Sequence, residues 1–326
     1  MATAEAAGVP RGCRGGADLD AVAARAWAAT VVVAPDVTSK VPFMGSSRRG
    51  SGVVVKVPDD GRMMVLTAAH VACLAGSRNR VRLRAPRAGA GVDDEWMTAT
   101  VVGVHRELDI AVLGVLDDGG LEAREMPWLP LATSVPAPGE PVAALGYPMG
   151  WSGWLKGLGG GGGGKIWRRA EERGGGGANE DDALGDSAGR WGKLLAAHER
   201  PVSGDDARSD PSAGRATTRV TTHVLHTATV ASGESGGPLI SAAGEVLGVH
   251  SFGDAFYGGE RDVAVAATAD IVAEIEVVFI NDSPSSVAPS EYATSEINRR
   301  VMESSDPALA AMCPELTPEQ RRSWIL

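Results

Sequence analysis

The chain predicts an all-β fold, a barrel or sandwich. Short β-branched and apolar runs recur along most of its length, and Gly, Pro and Asp-Gly pairs punctuate them. Its 326 residues set a prior of about two domains.

Ala29 to Ala34 is the first run, short and Val-rich. Val53 to Val57 leads through Asp60-Gly61, a hairpin signal, into Met63 to Leu66. Arg80 to Arg84 alternates charge with Val and Leu, as a half-exposed strand does. Thr98 to Val104, Ile110 to Val115, Pro141 to Leu145, Val220 to Thr229 and Val246 to Ser251 follow, the last entered through an Ala243-Gly244 turn. Asp270 to Phe279 suits a closing helix. In the tail, Asp306-Pro307 and Thr317-Pro318-Glu319-Gln320 read as helix starts, the second a capping box with Pro at the first helical position.

Chemistry concentrates in Gly233-Glu234-Ser235-Gly236-Gly237-Pro238. A serine hydroxyl is a weak nucleophile until a base takes its proton and fixed N–H donors take the developing charge. On a glycine-flanked turn, the Gly233 and Ser235 N–H groups can converge on one spot. Upstream, Thr67-Ala68-Ala69-His70 ends the apolar run Met63 to Leu66, and Asp109 heads another. Singly, His70 reads as a core histidine, Asp109 as a surface carboxylate and Ser235 as a turn serine. Jointly, in the order His70, Asp109, Ser235, they read as base, orienting carboxylate and nucleophile.

On these residues the chain resembles a trypsin-like (chymotrypsin-fold) serine peptidase, nearest in detail to the HtrA/Deg-type domain but without a PDZ domain. The resemblance rests on Gly50 to Val55, Leu66 to Val71, Asp109 to Leu113, Ala144 to Gly150, Thr227 to Leu239 and Gly244 to Val249, in family order. It implies two six-stranded Greek-key barrels with a C-terminal helix. It also implies serine endopeptidase activity on polypeptide substrates, with His70, Asp109 and Ser235 as triad and the Gly233 and Ser235 N–H groups as oxyanion hole. No cofactor or metal is expected.

In the family, the residue six before the nucleophile floors the primary specificity pocket. Here that is Thr229, with Val230 beside it. Neither is charged, so the resemblance implies a small or apolar residue before the scissile bond; an unpaired buried cation there would cost roughly several kcal/mol. Ser251-Phe252-Gly253 matches the strand that pairs with substrate as an added antiparallel strand, and Ser251 is expected to approach Asp109. Glu234 departs from the family's Asp or Asn, which leaves open how the loop before Ser235 is held. No Ile-Val-Gly-Gly-like segment stands upstream, so activation by a freshly cut N-terminus is not expected.

The resemblance runs over residues 27–280, preceded by an N-terminal extension (1–26) expected to be poorly ordered and followed by a tail (281–326) with short helices. Residues 157–216 hold two uninterrupted glycine runs among polar residues, and are expected to form a disordered Gly-rich insertion in the second lobe. They match no phosphate-loop motif.

The net charge is −10 and no basic cluster suits nucleic acid. No apolar run reaches the roughly 18 residues of a membrane span. The tail helices can pack on the barrel or on another subunit, so an oligomer stays open, without support from the sequence. Three cysteines, Cys13, Cys73 and Cys313, make no disulfide framework, and Met1 to Pro10 lacks the pattern of a secretory signal. An intracellular setting, cytoplasmic or organellar, is expected. A second reading, from a different class, keeps the fold but not the turnover: a chaperone-like module that binds peptides without cutting them.

Overall fold

The computed structural model describes residues 19–35, 50–56, 61–73, 80–84, 97–105, 107–115, 121, 125–147, 166–168, 188–201, 219–228, 230–231, 233–253, 261–275 and 291–325. The first lobe is a closed barrel of β1 (Thr30–Pro35), β2 (Gly50–Lys56), β3 (Met63–Thr67), β4 (Arg80–Arg84), β5 (Met97–Val104) and β6 (Ala111–Val115). Its ring order is β1-β2-β3-β6-β5-β4, with each neighbouring pair antiparallel. Gly61 turns the β2–β3 hairpin at φ +71°, as the Asp-Gly pair predicts.

The second lobe contains β7 (Pro141–Gly146), β9 (Ala188–Pro201), β10 (Arg219–His226), β11 (Pro238–Ser241), β12 (Val246–Gly253) and β13 (Asp262–Ala266), with β8 (Ile166–Arg168) alongside β9. The β9–β10 pairing closes these six into a ring, β7-β9-β10-β13-β12-β11. Counted within its own ring, each barrel runs first, second, third, sixth, fifth, fourth. The two Greek keys have the same topology, and the expected two-barrel fold is what the chain adopts.

Two expectations about the chain's segments need correction. Residues 188–201 were expected inside the insertion, but they form the strand that closes the second barrel. From Leu194 onward its side chains alternate inward and outward, and Leu194 itself is fully buried. Barrel closure removes a sheet edge that would otherwise stand unpaired. The two glycine runs lie outside the described residues. The boundary at residue 27 also falls inside a helix, α1 (Leu19–Ala28), whose Val22, Ala23, Ala26 and Trp27 are buried. Trp27 packs on Tyr147 with ring centroids 4.6 Å apart, and the Tyr147 hydroxyl donates to Thr30 O.

A connecting segment ties the barrels together. Leu129 N–H donates to Val54 O in the first barrel, while Val246 N–H donates to Pro130 O and Ala132 N–H to Val246 O in the second. The core runs through both lobes; Leu66, Leu113, Leu145, Leu239 and Ile240 are fully buried, each contributing about 1.5–3 kcal/mol.

Two short helices, α2 (Ala69–Ala72) and α3 (Ala269–Ala273), follow β3 and β13. The expected closing helix over 270–279 is seen in part as α3, and residues 276–279 lie outside the described ones. In the tail, α4 (Glu291–Met312) continues through Pro307, so Asp306-Pro307 is not a helix start. Proline removes one donor there, and burial of Ala308, Leu309 and Cys313 keeps the helix intact. The capping box is formed as expected at α5 (Pro318–Ile325): Thr317 N–H donates to Gln320 Oε1, and Gln320 N–H to Thr317 Oγ1.

Candidate active site

His70 lies on α2, one short turn after β3, and Asp109 sits two residues before the start of β6. The β3–β6 pairing brings the two together. His70 Nδ1 stands 2.5 Å from Asp109 Oδ2, and the His70 backbone N–H donates to Asp109 Oδ1 at 2.8 Å. Asp109 is buried, whereas 42% of the His70 side chain is exposed. Burial opposes charge on the imidazole, but Asp109, by charge and by hydrogen bond, outweighs it; His70 titrates above its ordinary value of about 6.5. The Ser251 hydroxyl donates to Asp109 Oδ2 from across the cleft. That carboxylate is therefore held by two donors besides the imidazole.

Ser235 comes from the second barrel. Gly233 and Gly236, on either side of it, have φ +95° and +85°, conformations a side chain would strain. A Cβ on Gly236 would stand 2.3 Å from Thr67 Oγ1 and 3.0 Å from Ala68 N. The nucleophile turn thus packs against the strand end that carries His70. His250 brackets the turn: Gly236 N–H donates to His250 O, and His250 N–H donates to Gly237 O.

Ser51, in the Gly-Ser-Gly that opens β2, joins the barrels at this point. Its N–H donates to Ser235 O at 2.7 Å and its hydroxyl to Gly233 O at 3.0 Å. The same Oγ accepts the Tyr147 N–H, and Ser51 O accepts from the Thr67 hydroxyl. The sequence placed Ser51 in a family-like segment but gave it no role. A lone hydroxyl at the head of a Val-rich strand was the available signal.

Glu234 is buried, and its carboxylate accepts the Ala231 N–H while its own N–H donates to Ala231 O. The longer side chain reaches back three residues and closes the segment before Ser235 on itself. Gly146 leaves the space; a Cβ there would lie 2.8 Å from Glu234 Cβ.

Of the expected pocket residues, Thr229 lies outside the described residues. Val230 is half-buried, and its N–H donates to Asp262 Oδ2 at 2.8 Å. Asp262 is itself buried on β13, a carboxylate behind the pocket segment that sequence reasoning missed. It stood there as the first residue of an apolar run, indistinguishable from a strand-initiating surface acid. Ser251, Phe252 and Gly253 end β12, where β13 pairs with Phe252 and Gly253, while β11 pairs only as far as Val249. Among the described residues that leaves one backbone edge open beside Asp109. Also among the described residues, no cluster of His, Cys, Asp or Glu is arranged to hold a metal.

A family model, the trypsin-like peptidase domain, matches residues 50–249, the span from Gly50 beside the Ser235 turn to the end of the β11–β12 pairing. The chain belongs to the trypsin-like peptidase family. It is a serine-type endopeptidase by that membership. No curated protein matches this peptidase. Among solved structures it is similar to the active form of the Rv3671c protease from M. tuberculosis, 26% identical over 81% of this chain and 88% of that one, with a TM-score of 0.45. It is also similar to the HtrA-type protease AlgW with a tripeptide, 20% identical over 77% of this chain and 60% of that one, TM-score 0.46. A third is the serine endoprotease from Yersinia pestis, 18% identical over 82% and 66% of the two chains, TM-score 0.45.

Proposed function

We propose that the peptidase cuts polypeptides with Ser235 as nucleophile, His70 as general base and then acid, and Asp109 as the group that orients the imidazole. One observation carries this reading: the chain of contacts Ser251–Asp109–His70 lies where the Ser235 turn packs on Thr67 and Ala68. With Asp109 at Nδ1, His70 turns Nε2 towards the cleft, where it takes the Ser235 proton as Oγ attacks the carbonyl carbon. The Gly233 and Ser235 N–H groups bind the resulting oxyanion. His70 then gives the proton to the leaving amine, and water repeats the sequence on the acyl-enzyme.

Substrate is bound along the open edge of Ser251, Phe252 and Gly253 as an added strand. Thr229 and Val230 favour a small or apolar residue before the scissile bond. Asp262, one hydrogen bond behind Val230, favours a second reading in which a basic side chain is drawn in. The buried free thiols Cys73 and Cys313 support an intracellular setting, and among the described residues no helix is long and apolar enough to cross a membrane.

A fluorophosphonate probe tests the core of this. Labelling at Ser235, absent in Ser235→Ala, is expected. A wild type that binds peptides and stays unlabelled would favour the non-catalytic alternative. A peptide library with Ala, Val, Lys and Arg before the cut decides the pocket, and Asp262→Asn abolishes a Lys or Arg preference only under the second reading.

A further inference from the structure

The turn that carries Asp109, with His105 before it and residues 107–110 in it, is built around a single buried imidazole. His105 Nδ1 accepts two backbone N–H groups, from Glu107 at 3.1 Å and from Leu108 at 3.0 Å. The His105 N–H donates to Ile110 O, and Ile110 N–H to Leu108 O, so the turn is closed on both sides of Asp109. An Asn or Asp side chain holds such a turn by accepting the N–H groups two and three residues on; here a ring nitrogen takes that part.

Two donors on Nδ1 leave it no proton, so the ring proton is on Nε2. It points at Glu274 Oε2, 3.2 Å away, just beyond α3. Glu274 also accepts from the guanidinium of Arg200, on β9. His105 belongs to the first barrel, Glu274 and Arg200 to the second. The contact therefore ties the Asp109 turn to the lobe that supplies Ser235.

We propose that His105 is a positioning residue: its ring shapes the turn that aims Asp109 at His70, and through Glu274 and Arg200 it fixes that turn against the barrel bearing Ser235. The inference rests on the triad reading given above. Burial holds the ring neutral more strongly than Glu274 and Glu107 draw charge onto it, and Arg200 acts in the same sense as burial. Protonation at Nδ1 would set an N–H against two others and push the turn open.

The test is the rate of fluorophosphonate labelling at Ser235 as a function of pH. His105→Leu fills the space but removes the acceptor. Its labelling is expected to slow about 10- to 100-fold, the cost of a small misplacement of a reacting group, with the acid midpoint moved down as Asp109 loses its hold on His70. His105→Asn presents an acceptor near the place of Nδ1 and is expected to recover most of the rate and the midpoint. Glu274→Ala, at a partly exposed site, breaks the tether without touching either core; a slowing of about three- to tenfold is expected. If His105→Leu does not fold, His105→Asn and Glu274→Ala carry the test alone. Wild-type rate and midpoint in Glu274→Ala and in a folded His105→Leu, or a slow His105→Asn with a midpoint unlike the wild type, would overturn the proposal. An unlabelled wild type would instead overturn the triad reading beneath it.

Discussion

The backbone N–H of Ser51 donates to the carbonyl oxygen of Ser235 at 2.7 Å, and the Ser51 hydroxyl donates to Gly233 O. One residue of the first barrel thus holds the nucleophile turn of the second at two points. Ser51→Ala keeps the backbone contact but strands the buried Gly233 carbonyl and the Tyr147 N–H. We expect a stability loss of about 2–4 kcal/mol in urea denaturation and at least about tenfold slower labelling of Ser235. A variant as stable and as reactive as the wild type would mean that backbone geometry alone sets the turn.

Asp109 and His70 make a second prediction, about pH. Asp109 raises the imidazole's titration above its ordinary value of about 6.5, against burial, which lowers it. Reactivity needs neutral His70, so the acid limb of the wild-type rate profile is expected above that pH. Asp109→Asn removes the raising influence from a ring that is partly open to solvent. The limb should then move down towards the ordinary value, with the rate down about a thousandfold or more because the tautomer is no longer imposed. Equal limbs in the two proteins would show that Asp109 does not set the imidazole's charge.

Legibility in the sequence followed chain separation and chemistry. The strands of the first barrel were readable because Val31 to Val33, Val53 to Val55 and Ile110 to Leu113 are apolar runs bounded by turn or polar residues. His70, Asp109 and Ser235 were readable because each sits in a family-like local segment. Strand β9 was not: glycine runs precede it, it mixes Arg, Lys, His and Glu with its few apolar residues, and one of the partners that make it a strand, β7, lies on the far side of those runs. The roles of Ser51 and Glu274 were hidden because their meaning lies in contacts across 74 to 182 residues, as in Glu274 with Arg200 and Ser51 with Gly233, which no local pattern encodes. His105 acts within three residues on its own turn, but an imidazole is not a residue type that marks a turn in sequence, and its tie to Glu274 spans 169 residues.

Acid should unfold the second barrel first. His223, His226 and His250 are fully buried, and His226 and His250 meet edge-on at 5.3 Å with no well-formed side-chain hydrogen bond. Burial pushes His223 and His250 down to about 3, and His226 well below its ordinary value, with neighbouring imidazoles His198 and His250 adding to the effect on His223 and His226. The unfolded chain binds their protons first, so stability present above about pH 6.5 is lost as pH falls, by about 1.4 kcal/mol per pH unit for each histidine. His70, raised instead, works weakly the other way. Denaturation midpoints measured from pH 7 to 4 should fall steeply, and His250→Leu should flatten the slope by one histidine's share. An unchanged slope would mean that His250 is not buried neutral.

Leu194 decides whether β9 belongs to the barrel. It is fully buried among Val142, Val224 and Leu239, and the β9 main chain gives and takes bonds on both sides: Leu194 N–H donates to Glu140 O, while Thr227 N–H donates to Lys193 O. Gly192 has no room for a side chain, since a Cβ would lie 2.2 Å from Ala228 N. In a loose insertion, substitution at either position would change stability by less than about 0.5 kcal/mol. In a barrel strand, Leu194→Ala should cost about 2–5 kcal/mol through lost burial and an unfilled cavity. Gly192→Ala should cost more than its added methyl suggests, because backbone rather than a flexible side chain stands in the way. Chemical denaturation of the two variants measures both, and the Ser235 labelling rate shows whether closing this barrel also holds the nucleophile turn.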